Sequence, residues 1–176
     1  MQGLIIKGSR TSHQPAKRPR KMENRNESEQ RRAVIAEACT WLRTPFIHAA
    51  RIKGVGADCE TFLCEVFSSS GVFTARDIPY FPQQWFLHTR EELYLNYLGK
   101  YAVEYQFVPG KGMTEPQAGD IICVKSKWVH SHGAIVVKWP QVVHCFPPCV
   151  MESSALFNPV FNGREMKFFN PWAVRP

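Results

Sequence analysis

The sequence predicts an α+β domain in which N-terminal helices pack on a mainly antiparallel sheet. Two helical patterns lie in the first half of the chain, and runs of strand character follow from residue 119 onward. Helices first and strands afterwards are the mark of that class. At 176 residues the chain is long enough for one domain with an appendage and can build a core without disulfides, although it has six cysteines.

The appendage is legible in the charge. Residues 1–32 hold nine Lys/Arg against three Asp/Glu, leaving only +1 of the formal net charge of +7 for residues 33–176. Residues 1–25 therefore read as a basic arm, flexible or ordered by a partner, and residues 26–176 as the folded domain. Lys17-Arg18-Pro19-Arg20-Lys21 could touch nucleic acid or an acidic protein surface, and a solvated tail is the competing reading. No apolar run approaches a membrane span, and Leu4-Ile5-Ile6 is too short for the core of a cleavable signal.

The first helix is expected to begin at Asn26, with Glu29 as capping-box partner. Val34, Ile35, Ala38, Trp41 and Leu42 form its apolar face, and Thr44-Pro45 ends it. The loop 46–57 carries Gly54 and Gly56, which permit a tight path. From Cys59 the pattern is helical again, through Phe62, Leu63, Val66 and Phe67, until Ser68-Ser69-Ser70-Gly71 stops it. A third helix is expected around Trp85–Leu98. Strands are expected at Gly119–Val124, His132–Val137, Gln141–Phe146 and Met166–Phe169. Cys39, Cys64 and Cys123 sit among apolar neighbours and read as small buried side chains.

Cys59 differs from those three. It falls at a helix start, where free N–H groups and the macrodipole favour a thiolate. Cys64, five residues on, points about 140° away and lies a turn inside the helix. A cysteine nucleophile needs an imidazole, and the imidazole an orienting partner. His132 and His144 stand twelve residues apart on successive predicted strands. In a hairpin turning near Lys138 they fall directly opposite each other on one face, one as base and the other fixing its tautomer. His130 competes with His132, but only His132 directly precedes the apolar run. Zinc held by His130, His132, His144, Cys145 and Cys149 is the weaker alternative, because no CxxC pair accompanies them and Cys145 points away from His144.

These residues carry a resemblance. Trp41-Leu42-Arg43-Thr44-Pro45-Phe46, Lys53 to Cys59 (KGVGADC), Gln117 to Ile122 (QAGDII), His132 to Val137 (HGAIVV) and Val142-Val143-His144 resemble the NlpC/p60 cysteine peptidases. With Pro82 to His88 (PQQWFLH), they are similar to the branch encoded among phage tail and gene-transfer-agent tail genes. The match runs from about residue 28 to 172.

The resemblance implies a papain-like fold and cleavage of peptidoglycan stem peptides, often between γ-D-glutamate and a diamino acid, without cofactor or metal. It implies Cys59 as nucleophile, His132 as general base, His144 as third member and Asp58 as a substrate-binding acid. Phe46 and His48, on the loop before the nucleophile, and Glu60 join Asp58 as substrate-binding candidates. Phe46 stands where the family often has Tyr, and Glu60-Thr61 where Ser-Gly commonly follows the cysteine. The expected setting is a phage or phage-like tail, made in the host cytoplasm, docked on tail-tip or hub proteins and acting at the host wall. The competing expectation is a tail-tip assembly protein that keeps the fold with little activity.

Overall fold

A computed structural model describes residues 25–74 and 78–173, so the basic arm, apart from Arg25, lies outside the described residues. Helix α1 (Glu27–Thr40) begins as the sequence predicts. Asn26 Oδ1 accepts the Glu29 N–H and Glu29 Oε2 accepts the Asn26 N–H, each at 3.0 Å. Val34, Ala38 and Trp41 are buried along its inner face.

A short hairpin, β1 (Arg51–Ile52) and β2 (Gly56–Ala57), then leads into α2 (Cys59–Ser69). Phe62, Leu63, Val66 and Phe67 of α2 are buried against the sheet, as their spacing requires. Cys64 and Cys123 are buried as expected, whereas Cys39 is only half-buried.

The expected helix over Trp85–Leu98 forms in two pieces. A 3₁₀ turn covers Trp85–Leu87 and α3 covers Leu93–Leu98. Between them Thr89 Oγ1 accepts the Glu91 N–H at 3.0 Å, a local bond that competes with the helical one.

The main sheet contains β3 (Val103–Tyr105), β4 (Ile121–Ser126), β5 (Val129–Lys138), β6 (Gln141–Phe146), β7 (Cys149–Ser154) and β8 (Met166–Asn170). Its order is β3-β8-β4-β5-β6-β7, antiparallel at every pairing. β3 and β7 were not expected, because VEY is short and CVMESS mixes polar with apolar residues. On one face the helices bury Ile121, Cys123, Ile135 and Val143. On the other, Phe107, Phe161 and Phe168 cover Ile122, Ala134, Val136 and Val142 without a helix.

Gly133 explains how closely the helices approach. A Cβ there would collide with the Tyr94 hydroxyl and lie 3.2 Å from Leu63 Cδ1. Glycine at this point of β5 lets α2 and α3 seat on the strand.

Candidate active site

Cys59 is the first residue of α2, and Asp58 before it caps the helix. Asp58 Oδ1 accepts the Thr61 N–H at 2.9 Å and Thr61 Oγ1 accepts the Asp58 N–H at 2.9 Å. The Phe62 N–H bonds the Asp58 carbonyl at 3.0 Å. The cap thus takes the third and fourth amides of the helix start and leaves those of Cys59 and Glu60 to a ligand. Asp58 Oδ2 accepts the Ala49 N–H at 2.7 Å and stands 3.5 Å from His48 Nδ1.

The Cys59 thiol lies against β5. Sγ–H donates to the Ser131 carbonyl at 3.8 Å, and the Gly133 N–H donates to Sγ. The sulfur is therefore held beside the backbone on both sides of His132. His132 Nε2 meets His144 Nδ1 at 2.9 Å. His144 Nε2 meets Ser153 Oγ at 2.8 Å, and Asn158 Nδ2 donates to the same oxygen at 3.0 Å. Phe146 and Phe161 shield the pair, Phe161 packing edge-on to His144 with centroids 4.9 Å apart.

The two histidines meet by a route different from the expected one. The hairpin turns at Trp139-Pro140, with Lys138 opposite Gln141, rather than at Lys138. Regular pairing from that turn would set the histidines on opposite faces. A bulge at Val137 restores the parity: Val136 faces Val142 and Ala134 faces His144. His132 and His144 are consequently diagonal neighbours on one face, not direct partners.

A cleft of about 320 Å³ opens on this group. Cys59, His132, Asp58, Glu60, Phe46 and His48 all line it, while His144 sits behind His132. His48, Asp58 and Glu60 also line an adjoining recess of about 180 Å³ closed by Tyr80. The buried His48 Nε2 has no hydrogen-bond partner among the described residues. The segment Pro82–Phe86 forms one wall of the cleft, and the Trp85 indole N–H donates to the Glu60 carboxyl.

Electrostatics correct the expectation of a resting thiolate. Burial pushes the Cys59 thiol well above its ordinary value, with Glu60 and Asp58 adding to the rise and the Gly133 N–H opposing it. Burial also lowers His132 well below the usual imidazole range, helped by His144 and Arg164, and lowers His144 to about 4. A helix start offers a charge roughly 0.3–1 kcal/mol, less than the roughly 1.4 kcal/mol of a single pKa unit. Desolvation wins, and the free site holds a thiol and neutral imidazoles. Glu60, expected as an added negative charge, is pushed up to about 8 by burial and by Asp58, so it is largely protonated at neutral pH.

Sequence reasoning missed Ser153, Asn158 and Trp85 as parts of this site. Ser153 lies on the unforeseen β7, and Asn158 in the loop after it. Trp85 entered only as the start of the expected third helix and within the Pro82 to His88 resemblance, not as a site residue. His130 does not line the cleft; it bonds Glu92 instead. Among the described residues no group of three or more His, Cys, Asp or Glu side chains could hold a metal ion, and all six cysteines are free. None of the described helices is long and apolar enough to cross a membrane.

No protein-family model matches the chain, and no curated protein matches its sequence. Solved structures share its fold. The NlpC/p60 domain of peptidoglycan hydrolase SagA aligns with a TM-score of 0.53 at 19% identity, over 78% of this chain and 96% of that one. NlpC2 from Trichomonas vaginalis gives 0.60 at 12% identity, over 89% of this chain and 51% of that one. An NlpC/p60 family protein from Bacillus cereus ATCC 10987 gives 0.53 at 20% identity, over 78% of this chain and 39% of that one. The chain thus spans about half or less of the latter two. At these identities the likeness is one of fold: the α+β architecture is that of NlpC/p60 domains.

Proposed function

We propose that this protein is a cysteine peptidase that hydrolyses the stem peptides of bacterial peptidoglycan, at a bond of the γ-D-glutamyl to diamino acid type. The observation that carries the proposal is the Cys59 sulfur held against the backbone on both sides of His132, with His132 bonded to His144 at 2.9 Å, in one cleft. The fold shared with the SagA domain supports the substrate class.

In the working form His132 Nε2–H donates to His144 Nδ1, and His144 Nε2–H donates to Ser153 Oγ. That leaves His132 Nδ1 free to accept the thiol proton. Because the resting pair is neutral, the proton moves from Cys59 to His132 as sulfur attacks the amide carbonyl. The amides of Cys59 and Glu60 receive the developing oxyanion. His132 returns the proton to the leaving amine, and water then hydrolyses the thioester. Asp58, Glu60 and His48 form the polar end of the cleft, suited to a peptide's amino terminus, while Phe46 lines the apolar part.

The setting we propose is a phage or phage-like tail, with tail-tip or hub proteins as neighbours and the host wall as target. Its support is the resemblance of the Pro82–His88 segment, whose Pro82–Phe86 part forms a wall of the cleft. The test is digestion of purified sacculi, read by mass spectrometry of released fragments. Cys59→Ser and His132→Ala should each lower product formation by roughly 10³-fold or more. No fragments from the wild-type protein would sink the peptidase reading and leave a tail-assembly scaffold. Undiminished product from Cys59→Ser would remove Cys59 from the mechanism.

A further inference from the structure

Two residues before the proposed base lies a histidine that this chemistry does not use. His130 is 1% exposed, and its environment is polar on both sides. Its backbone N–H donates to Glu92 Oε2 at 2.8 Å and its Nδ1–H to Glu92 Oε1 at 3.0 Å. Its Nε2 stands 3.7 Å from the Glu165 carboxylate. Glu92 is the N-cap residue of α3, yet its side chain caps nothing there; both oxygens go to His130. Glu165 is tied on the other side, accepting from Lys125 Nζ at 2.8 Å and, through its carbonyl, from the Lys125 N–H at 3.0 Å.

These ties converge on an irregularity in the sheet. Val124 pairs with His132 and Lys125 with His130, so Ser131 is an extra residue bulged out of β5. It is the Ser131 carbonyl that meets the Cys59 thiol. A bulge leaves its residue outside the ladder and re-aims the side chains beside it, so its geometry must be held by other bonds. Here Glu92 bonds His130 directly. Glu165 bonds Lys125, the residue paired with His130, and faces His130 Nε2, which has no hydrogen-bond partner among the described residues.

We infer that Glu92 and His130 are positioning residues: with Glu165 they clamp the Ser131 bulge and so set the approach of the Cys59 thiol to His132. The catalytic consequence rests on the peptidase reading, but the effect on thiol reactivity does not.

The test uses the full chain with Glu92→Ala and Glu92→Gln. Alkylation of Cys59 by iodoacetamide is followed by peptide mass spectrometry, beside kcat and KM on a synthetic L-Ala-γ-D-Glu-diaminopimelate peptide. Glu92→Ala should slow alkylation by roughly tenfold or more and lower kcat at least as much, with KM within about twofold, since small misplacements cost that order of rate. Glu92→Gln should recover most of both. Its amide oxygen still accepts the His130 N–H, and its NH₂ bonds Nδ1 once the imidazole proton moves to Nε2, toward Glu165. If Glu92→Ala does not fold, Glu92→Asp, one methylene too short to reach, carries the same expectation. A folded Glu92→Ala with wild-type alkylation and kcat overturns the inference, as does a Glu92→Gln no better than Ala. Slowed alkylation in Glu92→Ala together with a wild type that leaves the peptide intact supports the clamp and refutes the peptidase reading.

Discussion

Glu60 shows most directly how burial rewrites a residue's chemistry. Written next to a cysteine proposed as the nucleophile, a glutamate promises a charge that opposes the thiolate. In the fold it is buried, accepts the Trp85 indole N–H, and is pushed up to about 8, so the promised charge is mostly absent at neutral pH. This has a sign for stability. The folded state keeps its proton up to about pH 8, whereas the unfolded chain releases it near 4.5. Stability from this group is full below pH 4.5 and is lost as pH rises toward 8, at up to about 1.4 kcal/mol per pH unit. Glu60→Gln keeps an acceptor for Trp85 and cannot ionise. Its melting temperature should match the wild type at pH 4.5 and exceed it increasingly toward pH 8. Parallel melting curves for the two proteins across that range would refute the buried-acid account. His144 works in the other direction: held neutral, with its pKa lowered to about 4 from 6.5, it contributes stability above pH 6.5 that is lost as pH falls toward 4. Comparing Glu60→Gln with the wild type cancels this slope.

At the scale of elements, the site depends on departures from regular strands. The even spacing of His132 and His144 does identify two residues of one face, yet only because the Val137 bulge offsets the odd register imposed by the Trp139-Pro140 turn. Parity was readable in the sequence; the bulge that makes it valid was not, since a bulge is a compromise between turn geometry and side-chain burial on the two faces. The helix cap at Asn26 was more accessible, because a cap is a bond between residues three apart. Asp58, expected only as a substrate-binding acid, also caps its helix. Gly133 belongs to this scale too. Gly133→Ala should cost roughly 1–3 kcal/mol in denaturant unfolding, because the added methyl meets Tyr94 and Leu63. A smaller loss would mean that α2 and α3 are not packed tightly on β5.

Across the whole molecule, α1 is fastened to the sheet by one buried cation. Arg31 bonds Asp120 Oδ1 at 2.9 Å and the Ala118 carbonyl at 2.7 Å, and lies 4.1 Å from the centre of the Trp172 ring. Asp120, in the turn before β4, also accepts from the Tyr105 hydroxyl at 2.7 Å and the Gln117 N–H at 2.9 Å. Removing the guanidinium leaves Asp120 buried with no cationic partner among the described residues. Arg31→Ala should therefore lose about 3–5 kcal/mol, measurable by chemical denaturation, and a loss under about 1 kcal/mol would show the pair to be solvated. Because the bonding partners of Arg31 are not those of Cys59, its removal tests stability with the contacts of the proposed nucleophile left in place.

Sequence pattern alone sufficed for the class of fold, two helices and the cap of the first, the helical position of Cys59, and the pairing in principle of two histidines. Each of these rests on periodicity or on bonds between residues a few places apart. The tertiary structure alone decided that Glu92 serves His130 and not its own helix, that Ser153 and Asn158 stand behind His144, and that Arg31 faces inward. It also decided that the thiol rests protonated. The physical reason is the same throughout. Desolvation and long-range hydrogen bonds depend on what surrounds a group in space, and those neighbours come from segments that local pattern does not connect.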